Sequence, residues 1–341
     1  MLTVLLAACT SSANTSTTLA TSSPPSTSTT TLTATPSSTA AGDRSGVHEF
    51  PVPTGSHPHD VAPAADGGVW YTAQAAGKLG HLDPATGATR EIDLGNGSAP
   101  HGVIVGADGA AWVTDGGLNA IVRVDPVSPA ISRYAVPSPS ANLNTATFDA
   151  GGRLWFTGQS GIYGRLDVVT GKADVFNAPK GGGSYGIDSC PDGTVWFASL
   201  AGSYIARIDV VSGAATVVEP PTSGQGARRV WCDSKSRVWV SEWNAGQVAM
   251  YEPASGAWKE WRLPGARPQA YAVFVDDADV VWLTDFGANA IVRFDPTSES
   301  FTPFPLPSPS AEVRQLLGRH GGVWGAESGT DKLVRVSGAP R

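Results

Sequence analysis

Seven tryptophans stand in phase along the 341-residue chain: Trp70, Trp112, Trp155, Trp196, Trp239, Trp282 and Trp324, 41–43 residues apart. The residues around them repeat as well. A short turn such as Asp66-Gly67-Gly68 or Asp192-Gly193-Thr194 comes just before the tryptophan. An apolar-X-Arg-X-Asp strand and a Pro, Ser or Gly turn follow it, most completely in Trp112–Pro126 and Trp282–Pro296. Such a period, holding four short strands, marks a β-propeller. One copy cannot bury its apolar face alone, so the copies must stack into a ring. The expected fold class is all-β: a seven-bladed β-propeller of four-stranded antiparallel blades.

In the second copy the strands read as 102–105, 110–115, 121–125 and 131–136, separated by Gly and Asp turn formers. The seventh copy stops after its third strand, near 332–337. His48-Glu49-Phe50-Pro51-Val52-Pro53 is similar to the fourth-strand endings at 133–137 and 302–307. An N-terminal strand is therefore expected to complete blade seven, closing the ring and removing a free edge.

Residues 46–341 read as one propeller domain. Residues 10–45 form a Ser/Thr/Pro-rich linker that cannot offset its ordering entropy by burial, and disorder is expected there. Residues 1–9 read as a truncated lipoprotein-type signal segment. Leu6-Ala7-Ala8-Cys9 resembles a lipobox, in which Cys9 would carry the lipid. The expectation is an exported bacterial lipoprotein, at the cell surface or in the periplasm, touching the membrane through its lipid anchor only. A net charge of −7 without a basic stripe argues against nucleic acid as a partner. Nothing signals oligomerisation, so a monomer is expected. Cys190 and Cys232 stand near the ends of the inner strands of adjacent blades, in registers that differ by one residue. They are either a disulfide of an exported protein or two buried thiols.

The first strand of a propeller blade lines the central channel. Eleven residues before each tryptophan stand His59, His101, Asn144, Tyr185, Arg228, Tyr271 and Val313. Around a ring these positions converge on one opening, and converging polar groups are where a ligand is expected. A small-molecule or peptide ligand in the channel is the partner this implies. Arg228 and Arg229 are neighbours on a strand and should point to opposite faces, so only one is expected in the channel. A second set follows each tryptophan by three residues: Ala73, Asp115, Gly158, Ser199, Glu242, Asp285 and Glu327. In the TDxGxNAIVR context of Asp115 and Asp285, a carboxylate is expected to accept backbone N–H groups of the next turn. Glu327, in Ala-Glu-Ser-Gly, is less bound to that role.

Several motifs resemble the virginiamycin B lyase (streptogramin B lyase) family across all seven copies. They are Pro100-His101-Gly102, Trp155-Phe156-Thr157, Glu242-Trp243-Asn244, the Gly-Ala-Asn of 287–289 followed by Ile291, and Ser310-Ala311-Glu312. The resemblance implies a Mg2+-dependent elimination that opens the ester of a cyclic depsipeptide. The metal would polarise the ester and stabilise the developing enolate, and a histidine would move the proton. Carried over position by position, Glu312 and Glu327 match the two metal-linked glutamates. The blade-seven histidine falls on Arg314. The blade-six histidine falls on Gln269 by the Arg-Pro-X motif, or on Tyr271 by distance from Trp282.

Both imidazoles are thus replaced. Arg is no base, since its pKa exceeds about 12, and Gln does not titrate. Tyr271 could act only if its pKa fell far below about 10. His59, in the blade beside blade seven, is the one imidazole placed to approach Glu312 and Glu327. The function expected is therefore that of an exported streptogramin lyase-like propeller. Its site would be metal-assisted, a C–O lyase for a cyclic depsipeptide or related ester, with altered catalytic groups. One alternative is a non-catalytic ligand- or protein-binding propeller tethered to the cell surface. Another is a lactonase-type metal hydrolase whose ligands would begin with Asn144 and Glu312.

Overall fold

The computed structural model describes residues 46–128, 130–319 and 322–337. The signal-like segment 1–9 with Cys9, and the linker 10–45, lie outside the described residues. Twenty-eight strands form seven four-stranded antiparallel sheets, and no helix occurs among the described residues. The second blade consists of Pro100–Val105, Ala111–Asp115, Ala120–Val124 and Ile131–Ala135, within two residues of the sequence expectation. The inner strands of blades one to seven are Pro58–Pro63, Pro100–Val105, Leu143–Phe148, Ser184–Ser189, Ala227–Cys232, Ala270–Val275 and Val313–Arg319.

The repeated residues build the blades directly. Each tryptophan sits on a second strand, and Trp70, Trp155, Trp196 and Trp239 are fully buried. Burying a large aromatic side chain contributes roughly 1.5–3 kcal/mol. The arginine of the apolar-X-Arg-X-Asp strand pairs across the sheet with the tryptophan: Trp112 with Arg123, Trp155 with Arg165, Trp324 with Arg335. Its guanidinium lies 5.6–5.9 Å from the indole ring, within cation–π reach. The aspartate at the start of the preceding turn accepts the indole N–H in three blades, from Trp155 to Asp149, Trp239 to Asp233 and Trp282 to Asp276. The turn before Trp196 needs a glycine because Gly193 has φ +83°, where a side chain is strained.

Blade seven is completed by the N-terminal strand Val47–Pro51, antiparallel to Lys332–Ser337, with Val47 opposite Val336 and Pro51 opposite Lys332. Glu49 locks this junction. Its carboxylate accepts from Lys332 Nζ at 2.5 Å and from the Ser308 N–H and hydroxyl at 2.8 Å. Cys190 and Cys232 form a disulfide between the ends of the inner strands of blades four and five. Trp261 of the outer strand Ala257–Arg262 packs on Trp239 of its own blade and on Phe294 of the next.

Candidate functional site

The inner strands begin at the ring face where the second strands end, with Ser184 opposite Ser199 and Ala270 opposite Asp285. In four blades a hydroxyl two residues past the tryptophan fixes the opening position. Thr72, Thr114, Thr157 and Ser241 accept an N–H from the inner strand of their own blade, from Asp60, Gly102, Thr145 and Arg229. The same hydroxyls donate to the carbonyls of His101, Asn144, Tyr185 and Tyr271 in the next blade. The backbone beneath His101, Asn144, Tyr185 and Tyr271 is therefore pinned by the preceding blade.

Those side chains form one connected layer across the channel. His59 and His101 lie with ring centroids 3.7 Å apart. His59 Nδ1 is 2.8 Å from Asp60 Oδ1, and Arg229 Nη2 donates to the same oxygen at 2.9 Å. Asn144 Nδ2 donates to His101 Nε2 at 3.2 Å, while Thr145 donates to the Asn144 amide oxygen. The hydroxyls of Tyr185 and Tyr271 are 2.5 Å apart. Arg228 Nη2 donates to the Tyr185 hydroxyl at 2.9 Å, and its guanidinium lies 3.5 Å from the centroid of the Tyr271 ring. Trp243 flanks the same guanidinium at 4.9 Å. Arg314 reaches the layer from blade seven, with its Cζ 5.9 Å from the Tyr271 ring.

The six polar mouth residues named from the sequence are thus brought together. Two details differ. In blade seven the count from the tryptophan lands on Val313, which is core, and Arg314 takes the mouth position. The register also shifts between Ala227 and Arg229, so strict alternation fails there. Both Arg228 and Arg229 consequently enter the channel, one stacked at the mouth and one buried on Asp60. Asp60 and Gln315 were missed. Their positions next to residues of the mouth series are the signal for them, and Gln315 accepts the Val61 N–H from across the blade junction.

Burial and the three guanidiniums of Arg229, Arg314 and Arg228 hold the His59 imidazole well below its ordinary value. Burial, with His59 beside it, does the same to His101. Both rings are neutral near pH 7. Asp60 accepts from His59, which places the proton on Nδ1 and leaves Nε2 as an acceptor. Burial alone would raise the Tyr271 phenol. Arg228, Arg229, the hydrogen bond with Tyr185 and Arg314 outweigh it, and Tyr271 lies below the ordinary tyrosine value. Tyr185 is raised, by burial first and by Tyr271 second. Tyr271 is therefore the more acidic member of the pair.

The residues carried over from the family pattern have separate surroundings. Glu312 is exposed, and its Oε2 is 2.7 Å from Arg314 Nη2. Glu327 is fully buried and accepts from the Thr330 hydroxyl at 2.6 Å. Burial, with Glu49 adding to it, raises Glu327 to about 7. Gln269 is exposed, and its N–H donates to Asp285 Oδ1 at 2.8 Å. Asp115 and Asp285 accept backbone N–H groups from flanking turns, the role expected of them. His59 meets Asp60 and His101 rather than the blade-seven glutamates. Among the described residues, the group that sets three candidate metal-ligand atoms within 4.8 Å of one another is His59, Asp60 and His101. The Asn144 amide is engaged by His101 and Thr145, away from Glu312.

Beside the mouth lies a polar cleft of about 630 Å³, lined by Trp243, Asn244, Arg262, Arg267, Pro268 and Gln269. Trp243 is shared between cleft and mouth. Arg262 donates only to the carbonyls of Ala245 and Ala266. Among the described residues no carboxylate lies within ion-pair distance of Arg228, Arg262 or Arg267. The arrangement offers hydrogen-bond donors and positive charge to an acceptor-rich ligand, with a phenol of lowered pKa beneath them.

Fold and site together define a seven-bladed propeller with a polar channel mouth open to a cationic cleft. The model of the virginiamycin B lyase family matches residues 45–336, and the chain belongs to that family. Among solved structures it is similar to a streptogramin B lyase, at 23% identity and TM-score 0.79, covering 85% of this chain and 96% of that one. A catalytically inactive histidine variant of Staphylococcus aureus virginiamycin B lyase with quinupristin matches at 23% identity and TM-score 0.78, covering 85% and 98%. YCF48 bound to a D1 peptide matches in fold at 15% identity and TM-score 0.67, covering 88% and 99%. No curated protein matches the sequence.

Proposed function

We propose that the protein is an extracytoplasmic carbon–oxygen lyase of this family, opening the ester of a cyclic depsipeptide or related ester by β-elimination with Tyr271 as proton acceptor. The observation that carries this is the Tyr271–Tyr185–Arg228 cluster, which stands where the resemblance expects an imidazole. In such an elimination a base removes the proton α to a carbonyl. The electron pair becomes the new carbon–carbon double bond, the β C–O bond breaks, and the ester oxygen leaves as a carboxylate. The Tyr271 phenolate takes that proton. Arg228 and Arg314 stabilise charge developing on the carbonyl oxygen, and the Tyr185 hydroxyl donates to the phenolate. The body of the substrate rests in the cleft against Trp243. Arg228 covers the Tyr271 ring, so the substrate's carbonyl must draw that guanidinium aside.

The resemblance implies Mg2+, which prefers several oxygen ligands in near-octahedral array. The donors present fit it poorly. Glu312 is ion-paired with Arg314, and Glu327 is buried with a raised pKa. The His59–Asp60–His101 group offers one carboxylate, already paired with Arg229. The proposed chemistry therefore runs no step through a metal. Export is supported by the lipobox-like Leu6-Ala7-Ala8-Cys9 and by the disulfide, which persists in oxidising compartments. One observation favours a second reading: Tyr271 is 1% exposed. If Arg228 does not move, the cleft binds its ligand without turnover.

The test is incubation with quinupristin and simpler cyclic esters, followed by mass spectrometry. Elimination opens the ring with no change in mass, whereas hydrolysis adds one water. Binding without ring opening would support the second reading.

A further inference from the structure

At the end of the channel opposite the tyrosine mouth is a second cavity, of about 270 Å³, to which all seven inner strands contribute. Its walls are apolar and aromatic, with Ile104, Phe148, Trp231 and Leu317 half-buried around it. Its inner end is the Asp60–Arg229 ion pair, whose charges cancel at 2.9 Å. One lining carboxyl is left without a cation. Asp188 of the blade-four inner strand is 9% exposed and accepts the Cys232 N–H at Oδ2, 2.8 Å. Among the described residues no cationic side chain lies within ion-pair distance of it; burial raises its carboxyl to about 7, against the backbone N–H groups that bond it, so it is anionic above neutrality. A buried carboxylate without a cation is costly unless something pairs with it. Aromatic and aliphatic walls around it suit a cation with an apolar body.

We infer that this cavity binds a small organic ammonium ion, its charge on Asp188 and its apolar body against Trp231, Phe148 and Leu317. The site is separate from the mouth and does not depend on the chemistry assigned there. The disulfide ties down the segment that donates to Asp188, since Cys232 supplies both the N–H and a sulfur.

The experiment is calorimetric titration of the full chain with 2-phenylethylamine at about pH 8, where an alkylamine is protonated. The neutral 2-phenylethanol and the anionic 3-phenylpropanoate are the comparison ligands. Saturable binding of the amine is expected, at least about tenfold tighter than the alcohol, equivalent to about 1.4 kcal/mol. Asp188→Asn should lose about tenfold or more while keeping its thermal transition. Thr147→Trp, which fills the cavity from its half-buried rim and leaves Asp188 untouched, should lose binding too; it decides the matter if Asp188→Asn fails to fold. No saturable binding, equal affinity for the alcohol, preference for the carboxylate, or unchanged binding in Thr147→Trp overturns the inference.

Discussion

Tyr271 is the group to which the proposed reaction assigns the proton, in place of an imidazole. Its phenol lies under one guanidinium, near two others, and against a second phenol. A phenolate base differs from an imidazole in where it works. The rate of ring opening should rise from neutral into alkaline pH instead of levelling near the histidine range, and a pH–rate profile checks it. A second residue-scale expectation concerns Glu242. Burial, with Glu260 adding to it against Gln247, raises its carboxyl to about 8. Between the ordinary value of 4.5 and about 8 the folded state binds more protons than the unfolded chain. Stability from this group is therefore lost as pH rises through that window. Glu242→Gln should raise the melting temperature at about pH 8, by roughly 1–3 kcal/mol of stability, and change little near pH 4. The mouth residues themselves were legible because a constant offset from an in-phase tryptophan is a constant place in the ring. Arg314 was not, because the blade-seven hairpin is one residue shorter, with Trp324 opposite Leu317 where Trp282 stands opposite Phe274; the Arg228–Arg229 pair was not, because a register shift in the strand leaves no mark in composition or period.

At the scale of strands, the hydroxyls of Thr72, Thr114, Thr157 and Ser241 join one blade's second strand to the next blade's inner strand. Thr157→Val keeps the shape but leaves the Thr145 N–H and the Tyr185 carbonyl without their partner. It should cost about 1–3 kcal/mol in denaturant unfolding. It should also loosen Tyr185, and so lower activity more than Thr114→Val in the blade before. The hydroxyl of Thr157 stood in view within Trp155-Phe156-Thr157. Its bond to a neighbouring blade was not, since that partner lies 28 residues away along the chain. The N-terminal strand was legible because His48–Pro53 copies the outer-strand endings. Deleting residues 46–53 should destabilise the whole ring in a thermal melt, because the strand paired with 332–336 is lost and Lys332 loses its carboxylate partner Glu49.

The propeller is a closed ring crossed by a polar layer, with a cationic cleft on one side and an apolar cavity on the other. The seven-blade count followed from the tryptophan period alone. The disulfide could not be chosen from spacing, since two thiols at adjacent strand ends fit either outcome. With 42 residues between its halves, removing it as the Cys190→Ser/Cys232→Ser pair should cost about 2–4 kcal/mol in unfolding free energy. Function at this scale rests on whether the mouth performs chemistry with the residues it has. The most direct measurement is the ring-opening rate on quinupristin for the unaltered chain and for Tyr271→Phe, each with and without a metal chelator. The account predicts a ring-opened product of unchanged mass, insensitivity to the chelator, and a loss of roughly 10²–10⁴ in rate for Tyr271→Phe. Full activity in Tyr271→Phe, abolition by the chelator, or a product heavier by one water would contradict it.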